Sequence, residues 1–282
     1  MTDHVPASSA ELDLADWRAS DLLTDSLWHL GARDRSGPPL AGFYGAFVPQ
    51  IPNQLLRRYT QPGDTVLDLF SGSGTTMGEC LRLGRHGYGV DLDQGVLDRS
   101  RSWLDQQHNP GAVTITLFRG DATQQQTEQV LTAAMLAEGR PAPNLILLHP
   151  PYHDIIRFGT DPADLSNLAT VTDYLAAMHE VAAQTMTLVA PRGHVALVMG
   201  DIYHDGELIP LAFLTMAVLQ SSGLTLKAIC LKDLAGNEHG KGKSGQLWRY
   251  RALKFGLYLM AHEYIFIFQR PPARRRAARA LP

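Results

Sequence analysis

His149-Pro150-Pro151-Tyr152 places an imidazole, two prolines and a phenol in four consecutive residues. The prolines fix φ and remove two N–H donors, so this turn presents carbonyl oxygens rather than amides to a bound group. That suits a substrate that donates hydrogen bonds, above all an amine. An amine conjugated with an aromatic ring is a poor nucleophile because its lone pair is delocalised. Accepting both N–H bonds, from the side chain of His149 and the carbonyl of Pro150, favours the pyramidal form that can attack. Tyr152 is expected to stack on the ring, a contact worth roughly 1–3 kcal/mol per nucleic-acid base. A neutral imidazole has one acceptor nitrogen, and either tautomer is open. Activity is therefore expected to fall below about pH 6.5, and His149→Ser or His149→Asp to remove that limb.

A second constellation lies upstream. Asp68-Leu69-Phe70 ends an apolar run, and Ser71-Gly72-Ser73-Gly74 turns sharply into Thr75-Thr76. Glycines at such a strand end let backbone approach a ligand closely. Asp91 closes the next apolar run, where a carboxylate can accept from both ribose hydroxyls. Asp121 follows the third and can accept from an adenine amino group. Three strand ends together indicate an adenosine-containing ligand without saying which. A nicotinamide dehydrogenase remains an alternative here, disfavoured because Met77 occupies the position of the third glycine of the dinucleotide fingerprint.

These residues need a sheet to bring them to one edge. Apolar runs at Thr65–Leu69, His86–Val90, Thr114–Phe118, Asn144–Leu148, His194–Met199 and Leu224–Leu231 alternate with helical patterns, and His262–Gln269 alternates as a last strand. Such alternation predicts a mostly parallel seven-stranded sheet with helices on both faces, the last strand returning antiparallel at or near its edge. Pro52 within Pro49–Tyr59 marks the first turn of a helix. Residues 1–27 read as a flexible arm, 28–269 as one domain and 270–282 as a basic tail. The domain divides into a cofactor half, 43–140, and a catalytic half, 141–269. Gly236–Gly245 is expected to be a disordered loop.

Together the two motifs resemble those of the DNA amino-methyltransferases, which modify cytosine at N4 or adenine at N6. Phe47–Asp64 is similar to the element that this family places around the methionine end of its cofactor. The resemblance covers about residues 43–200 and, more loosely, the strands to 269. It implies a Rossmann-like α/β methyltransferase fold and S-adenosylmethionine as methyl donor. The cofactor would be held by Asp68, Phe70, Ser71, Gly72, Ser73, Gly74, Thr75, Thr76, Asp91 and Asp121. Catalysis at a flipped base would fall to His149, Pro150, Pro151 and Tyr152, without a metal or a covalent enzyme intermediate. The family usually has Asp, Asn or Ser at the position of His149; the absence of Asp inclines the reading to cytosine N4, with adenine N6 as the alternative. An RNA or protein amine methyltransferase, and an accessory subunit with an impaired site, follow as further readings.

Cys80 and Cys230 are the two cysteines, and neither lies beside a proline, as a nucleophile for methylation at cytosine C5 conventionally would. Two are too few for a disulfide framework, which suits a reducing cytoplasm close to the nucleoid. No apolar run is long enough for a membrane span. The 25 basic and 28 acidic residues include five arginines and no acid in residues 270–282. An acidic body that binds duplex DNA must concentrate positive charge locally. Lys227–Lys254 does so, and within it Trp248, Arg249, Tyr250 and Arg251 interleave aromatic and basic side chains for contact with DNA. His153, Asp154 and Arg157 are candidates for the pocket mouth, as are Asp201 and Tyr203 for the ligand-binding edge. A homodimer and a restriction endonuclease are the further partners considered.

Overall fold

The computed structural model describes residue 5 and residues 7–39, 45–234 and 245–272, the side chains of 245–248 excepted. In chain order the elements are β1 (Leu27–Trp28), α1 (Gln50–Tyr59), β2 (Thr65–Asp68), α2 (Thr75–Leu83), β3 (His86–Asp91), α3 (Gln94–Leu104), β4 (Ile115–Arg119), α4 (Gln125–Ala137) and β5 (Leu145–Leu148). There follow α5 (Val171–Leu188), β6 (His194–Met199), a hairpin of β7 (Ile202–His204) and β8 (Glu207–Ile209), α6 (Leu211–Ser221), β9 (Thr225–Asp233), α7 (Gly245–Phe255) and β10 (His262–Gln269). All seven expected strands are present. The loop expected at Gly236–Gly245 lies, but for its last residue, outside the described residues, as does the tail beyond Pro272.

The main sheet has eight strands in the order β1-β9-β10-β6-β5-β2-β3-β4. Only β10 is antiparallel to its neighbours, pairing β6 on one side and β9 on the other. One detail differs from the sequence expectation: an eighth strand, β1, pairs in parallel with the outer edge of β9. The last strand returns antiparallel near the edge, as expected, one strand in from β9, and both of its faces are apolar. Ile265 and Ile267 belong to one core cluster, Phe266 and Phe268 to the other.

The two clusters are the two faces of the sheet. On one, Ile146 and Leu148 of β5 meet α4, α5 and α6 through residues such as Leu131, Met178, Val181 and Leu219. On the other, Leu145 and Leu147 meet α1 and α2 through Ile51, Leu55, Met77 and Cys80. Strand periodicity thus sorts adjacent leucines and isoleucines to opposite layers. Met77 takes the place of a glycine because the space comes from the next strand: a Cβ on Gly87 would lie 2.8 Å from Met77 Sδ. Cys80 and Cys230 are buried free thiols, and burial pushes both pKa values up. No helix among the described residues is long and apolar enough to cross a membrane.

The N-terminal stretch, expected as a frayed arm, is tied to the domain at several points. Buried Arg57 of α1 reaches the carbonyl of Ala10 and the carboxylate of Asp21. Buried Arg85 donates to Thr60, to the carbonyl of Leu83 and to Glu11. Asn53 donates to the carbonyl of Ser8 at 2.8 Å. Guanidinium groups inside a protein need this many acceptors, and here the arm supplies part of them.

Candidate active site

Parallel strands β2, β3, β4 and β5 end at one edge of the sheet, and both motifs lie there. After β2 the chain turns through Gly72 (φ +50°) and Gly74 (φ +87°), left-handed conformations that favour glycine. Buried Asp68 shapes this turn: one oxygen accepts from Phe70 N–H at 3.0 Å, the other from the Thr76 hydroxyl at 2.6 Å. Burial carries its carboxyl up to about 6, against those hydrogen bonds, which lower it. The next strand closes in from the side, since a Cβ on Gly89 would lie 2.6 Å from Ser71 Oγ.

Asp91 accepts from Gly72 N–H at 3.0 Å and from Asp93 N–H at 2.9 Å. Its pKa is raised, chiefly by burial. Asp121, two residues beyond β4, uses one oxygen to accept from the backbone and hydroxyl of Thr123. The hydroxyls of Ser71, Ser73 and Thr75 are buried without a hydrogen-bond partner among the described residues. Buried polar groups are ordinarily paired, so three unpartnered hydroxyls in one glycine turn fit a loop built to receive a polar ligand. Asp91 and Asp121 keep lone pairs beyond these bonds, and the donor and acceptor groups present suit a polar, adenosine-containing ligand such as S-adenosylmethionine.

The second motif follows β5. Pro151 is anchored through its carbonyl, which accepts from the Tyr174 hydroxyl at 2.9 Å. The carbonyl of Pro150 accepts nothing from the described residues. His149 is half-buried, its ring 4.9 Å from that of Phe47 at the entry to α1 and 5.6 Å from that of Tyr152, nearly edge-on. His149 Nε2 lies 3.1 Å from the Tyr152 hydroxyl, which donates to Glu263 Oε2 at 3.2 Å. Glu263 Oε1 in turn lies 3.3 Å from Lys232 Nζ.

Burial pushes the His149 pKa down from the ordinary 6.5 to about 4; Glu263 opposes the shift and Lys232 adds to it. The acid limb expected near 6.5 therefore moves well below that value. The Tyr152 hydroxyl is held far above its ordinary pKa by burial and by Glu263. Its hydroxyl is committed inside the protein, so only the ring remains for stacking.

His153, directly after the motif, is buried at φ +51° and contacts Asp154 at 3.0 Å, while its Nε2 has no partner among the described residues. A side chain other than glycine held there is a local strain of the kind found beside ligand sites. Arg157 is exposed. Asp201 accepts from Ala212 N–H at 3.0 Å, which makes it a cap for α6. The Tyr203 hydroxyl lies 3.3 Å from Tyr258 N and accepts its proton, joining the β7–β8 hairpin to the chain after α7.

The basic stretch divides. Lys232 is 3% exposed and paired with Glu263, so it is not available to phosphates, contrary to the expectation from charge alone. Arg249, Tyr250 and Arg251 lie on helix α7, where residues two apart point to different sides, so their alternation does not make one face. All three are exposed, with Leu253, Lys254 and Phe255 beside them. The side chain of Trp248, like Lys241 and Lys243, is outside the described residues. Sequence reasoning missed Glu263 and Tyr174 altogether, and it named Phe47 only as the start of the segment Phe47–Asp64, not as a neighbour of His149. The available signal was an acid near the start of the largely apolar run His262–Gln269 and a lysine in the continuation of Leu224–Leu231.

Residues 20–101, from the N-terminal stretch into α3, match the family described as DNA methylase, in which the N6 and N4 enzymes are grouped. This agrees with the resemblance drawn from the motifs. The Type II methyltransferase M.MjaII of Methanocaldococcus jannaschii is 33% identical over 78 residues, 27% of this chain and 14% of that protein. M.MjaI of the same organism is 31% identical over 70 residues, 25% of this chain and 23% of that protein. The chain thus aligns with less than a quarter of the length of either relative. Among solved structures, TrmN from Thermus thermophilus superposes with a TM-score of 0.51 at 21% identity, over 84% of this chain and 52% of that one. That likeness concerns the fold, which is the Rossmann-like methyltransferase fold.

Proposed function

We propose that this chain methylates the exocyclic amine of a flipped base in duplex DNA, with S-adenosylmethionine as donor and cytosine N4 as the favoured target. The observation that carries the reading is the placement of His149 and of the Pro150 carbonyl, unpaired among the described residues, at the same sheet edge as the glycine turn and Asp91. Asp91 and Asp121 orient the adenosine, and the Ser71–Thr75 turn surrounds its polar remainder. S-adenosylmethionine supplies an electrophilic methyl group on a sulfonium when bound. His149, neutral at ordinary pH, and the Pro150 carbonyl accept the two N–H bonds of the amine and turn its lone pair toward that methyl. As the amine nitrogen takes the methyl group, the one N–H proton it must shed passes along its hydrogen bond to His149 and from there to water, leaving a neutral methylated amine.

The Tyr152 ring stacks on the base, its orientation set by Glu263. A base in this position has left its duplex, at a cost of a few kcal/mol. Exposed Arg249, Tyr250 and Arg251 lie on α7, in the connection from β9 to β10, and supply positive charge for the DNA backbone. Residues 28–269 act as one domain in this reading. The test is incubation of the purified chain with labelled S-adenosylmethionine and duplex DNA, then mass spectrometry of the nucleosides. N4-methylcytosine is the expected product, and N6-methyladenine would move the target. Label in RNA or protein but not in duplex DNA would overturn the reading.

A further inference from the structure

Four side chains run from the sheet interior to the active-site turn as a single hydrogen-bonded line, and its direction can be worked out. Lys232 and Glu263 face each other in register across β9 and β10. Trp28 of β1 is the register partner of Lys232 on the other side and is buried with it. Glu263 Oε1 takes the ammonium group, and Oε2 lies 3.2 Å from the Tyr152 hydroxyl. An ionised carboxylate can only accept, so the one hydroxyl proton must point at Glu263. The Tyr152 oxygen then has only lone pairs to offer His149 Nε2, 3.1 Å away. Two acceptors facing each other at that distance would repel, so Nε2 must carry the proton. In the opposite arrangement, with Tyr152 donating to His149, Glu263 and Tyr152 would meet lone pair to lone pair.

We propose that Glu263, held by Lys232, is a positioning residue that sets the tautomer of His149 through the hydroxyl of Tyr152, making Nε2 the donor and leaving Nδ1 as the acceptor. Nδ1 has no hydrogen-bond partner among the described residues. This matters for the reaction because an imidazole is asymmetric: in the other tautomer the same ring atom would offer the amine an N–H in place of a lone pair. That consequence rests on the functional reading above, whereas the tautomer does not.

The line predicts an inversion. In Glu263→Gln the side chain keeps its shape but has one oxygen and one NH2. Lys232 requires the oxygen, so the NH2 faces Tyr152, the hydroxyl turns to donate to Nε2, and His149 carries its proton on Nδ1. Adding Lys232→Met frees the amide to turn over, present its oxygen to Tyr152 and restore the original tautomer.

The experiment is nitrogen-15 NMR of protein labelled at histidine, with the His149 signals identified by their absence in His149→Asn. Expected are Nε2–H in the native chain, Nδ1–H in Glu263→Gln and Nε2–H again in the Lys232→Met, Glu263→Gln double variant. Methyl transfer, if the functional reading holds, falls by about 10² to 10⁴-fold in kcat in Glu263→Gln, the scale of losing a correctly protonated catalytic group, and recovers in the double variant. Tyr152→Phe serves if Glu263→Gln fails to fold: without the hydroxyl, His149 should show both tautomers. Nδ1–H in the native chain, an unchanged tautomer in Glu263→Gln, or Nε2–H alone in Tyr152→Phe would each overturn the proposal. The expected tautomers in a chain that methylates no DNA would uphold the positioning and remove the functional reading instead.

Discussion

Acidification separates the half-buried His149 from an ordinary histidine. Its pKa lies near 4 instead of 6.5, so protonating it in the folded chain costs roughly 3 kcal/mol more than in solvent. At about pH 5.5 an unperturbed imidazole would be about 90% protonated, whereas His149 remains about 97% neutral. The assay is methyl transfer to duplex DNA with saturating cofactor, from about pH 7.5 down to about 5.5, in the native chain and in His149→Asn. Asp68, whose carboxyl is carried up to about 6, titrates in the same range and acts on the cofactor loop in both proteins. The ratio of the two rates cancels it and isolates His149. That ratio should stay flat. A roughly tenfold fall in it over this range would show that His149 titrates as a solvent-exposed group, and the reasoning from burial would be wrong. Stability follows the same shift. The folded value is the depressed one, so the contribution is fully present above about 6.5, is lost as pH falls toward about 4, and disappears in His149→Asn.

Gly89→Ala brings a Cβ within 2.6 Å of Ser71 Oγ and 2.7 Å of Leu117 Cδ2; calorimetry should show weaker S-adenosylmethionine binding and a stability loss of about 1–3 kcal/mol. Unchanged cofactor affinity would mean that the strain is relieved away from the loop. Arg85→Met strips the carbonyls of Thr60 and Leu83 of a buried donor and should cost about 3 kcal/mol in urea unfolding, whereas Glu11→Gln, at the exposed end of the same pair, should cost less than about 1 kcal/mol. Equal losses would show that the pairing, not the buried guanidinium, supplies the stability. Arg249→Ala with Arg251→Ala should weaken DNA binding and reduce the salt slope by about one for each phosphate no longer neutralised, leaving cofactor affinity intact. An unaltered salt slope would take α7 out of the DNA interface.

The strands were legible because apolar runs of the right length alternate with helical spacing, and a parallel sheet follows from that alternation. The glycine turn was legible for a local reason as well: a strand end, two glycines and a helix start are adjacent in sequence. The antiparallel return of β10 near the edge was legible too, whereas β1 was not, because two residues of strand carry no periodicity and pair only through the edge that β9 offers. Helix α7 was hidden in a similar way: interleaved aromatic and basic residues look alike on a strand or a helix until the backbone is known. The arm before β1 read as flexible by composition, yet its carbonyls and carboxylates satisfy arginines on α1 and beside α2, partners far away in the chain.

By itself, the sequence determined which groups stand at the carboxyl edge of the sheet: Asp68, the Ser71–Thr76 turn, Asp91, Asp121 and His149–Tyr152 all lie there, since each directly follows or ends a strand. Tertiary structure decided what His149 is. Its low pKa comes from burial beside Phe47, and its tautomer from Glu263 and Lys232, which meet through the register of two strands joined by a long connection. A residue type sets the protons that a side chain can hold; only its neighbours in space decide where they sit.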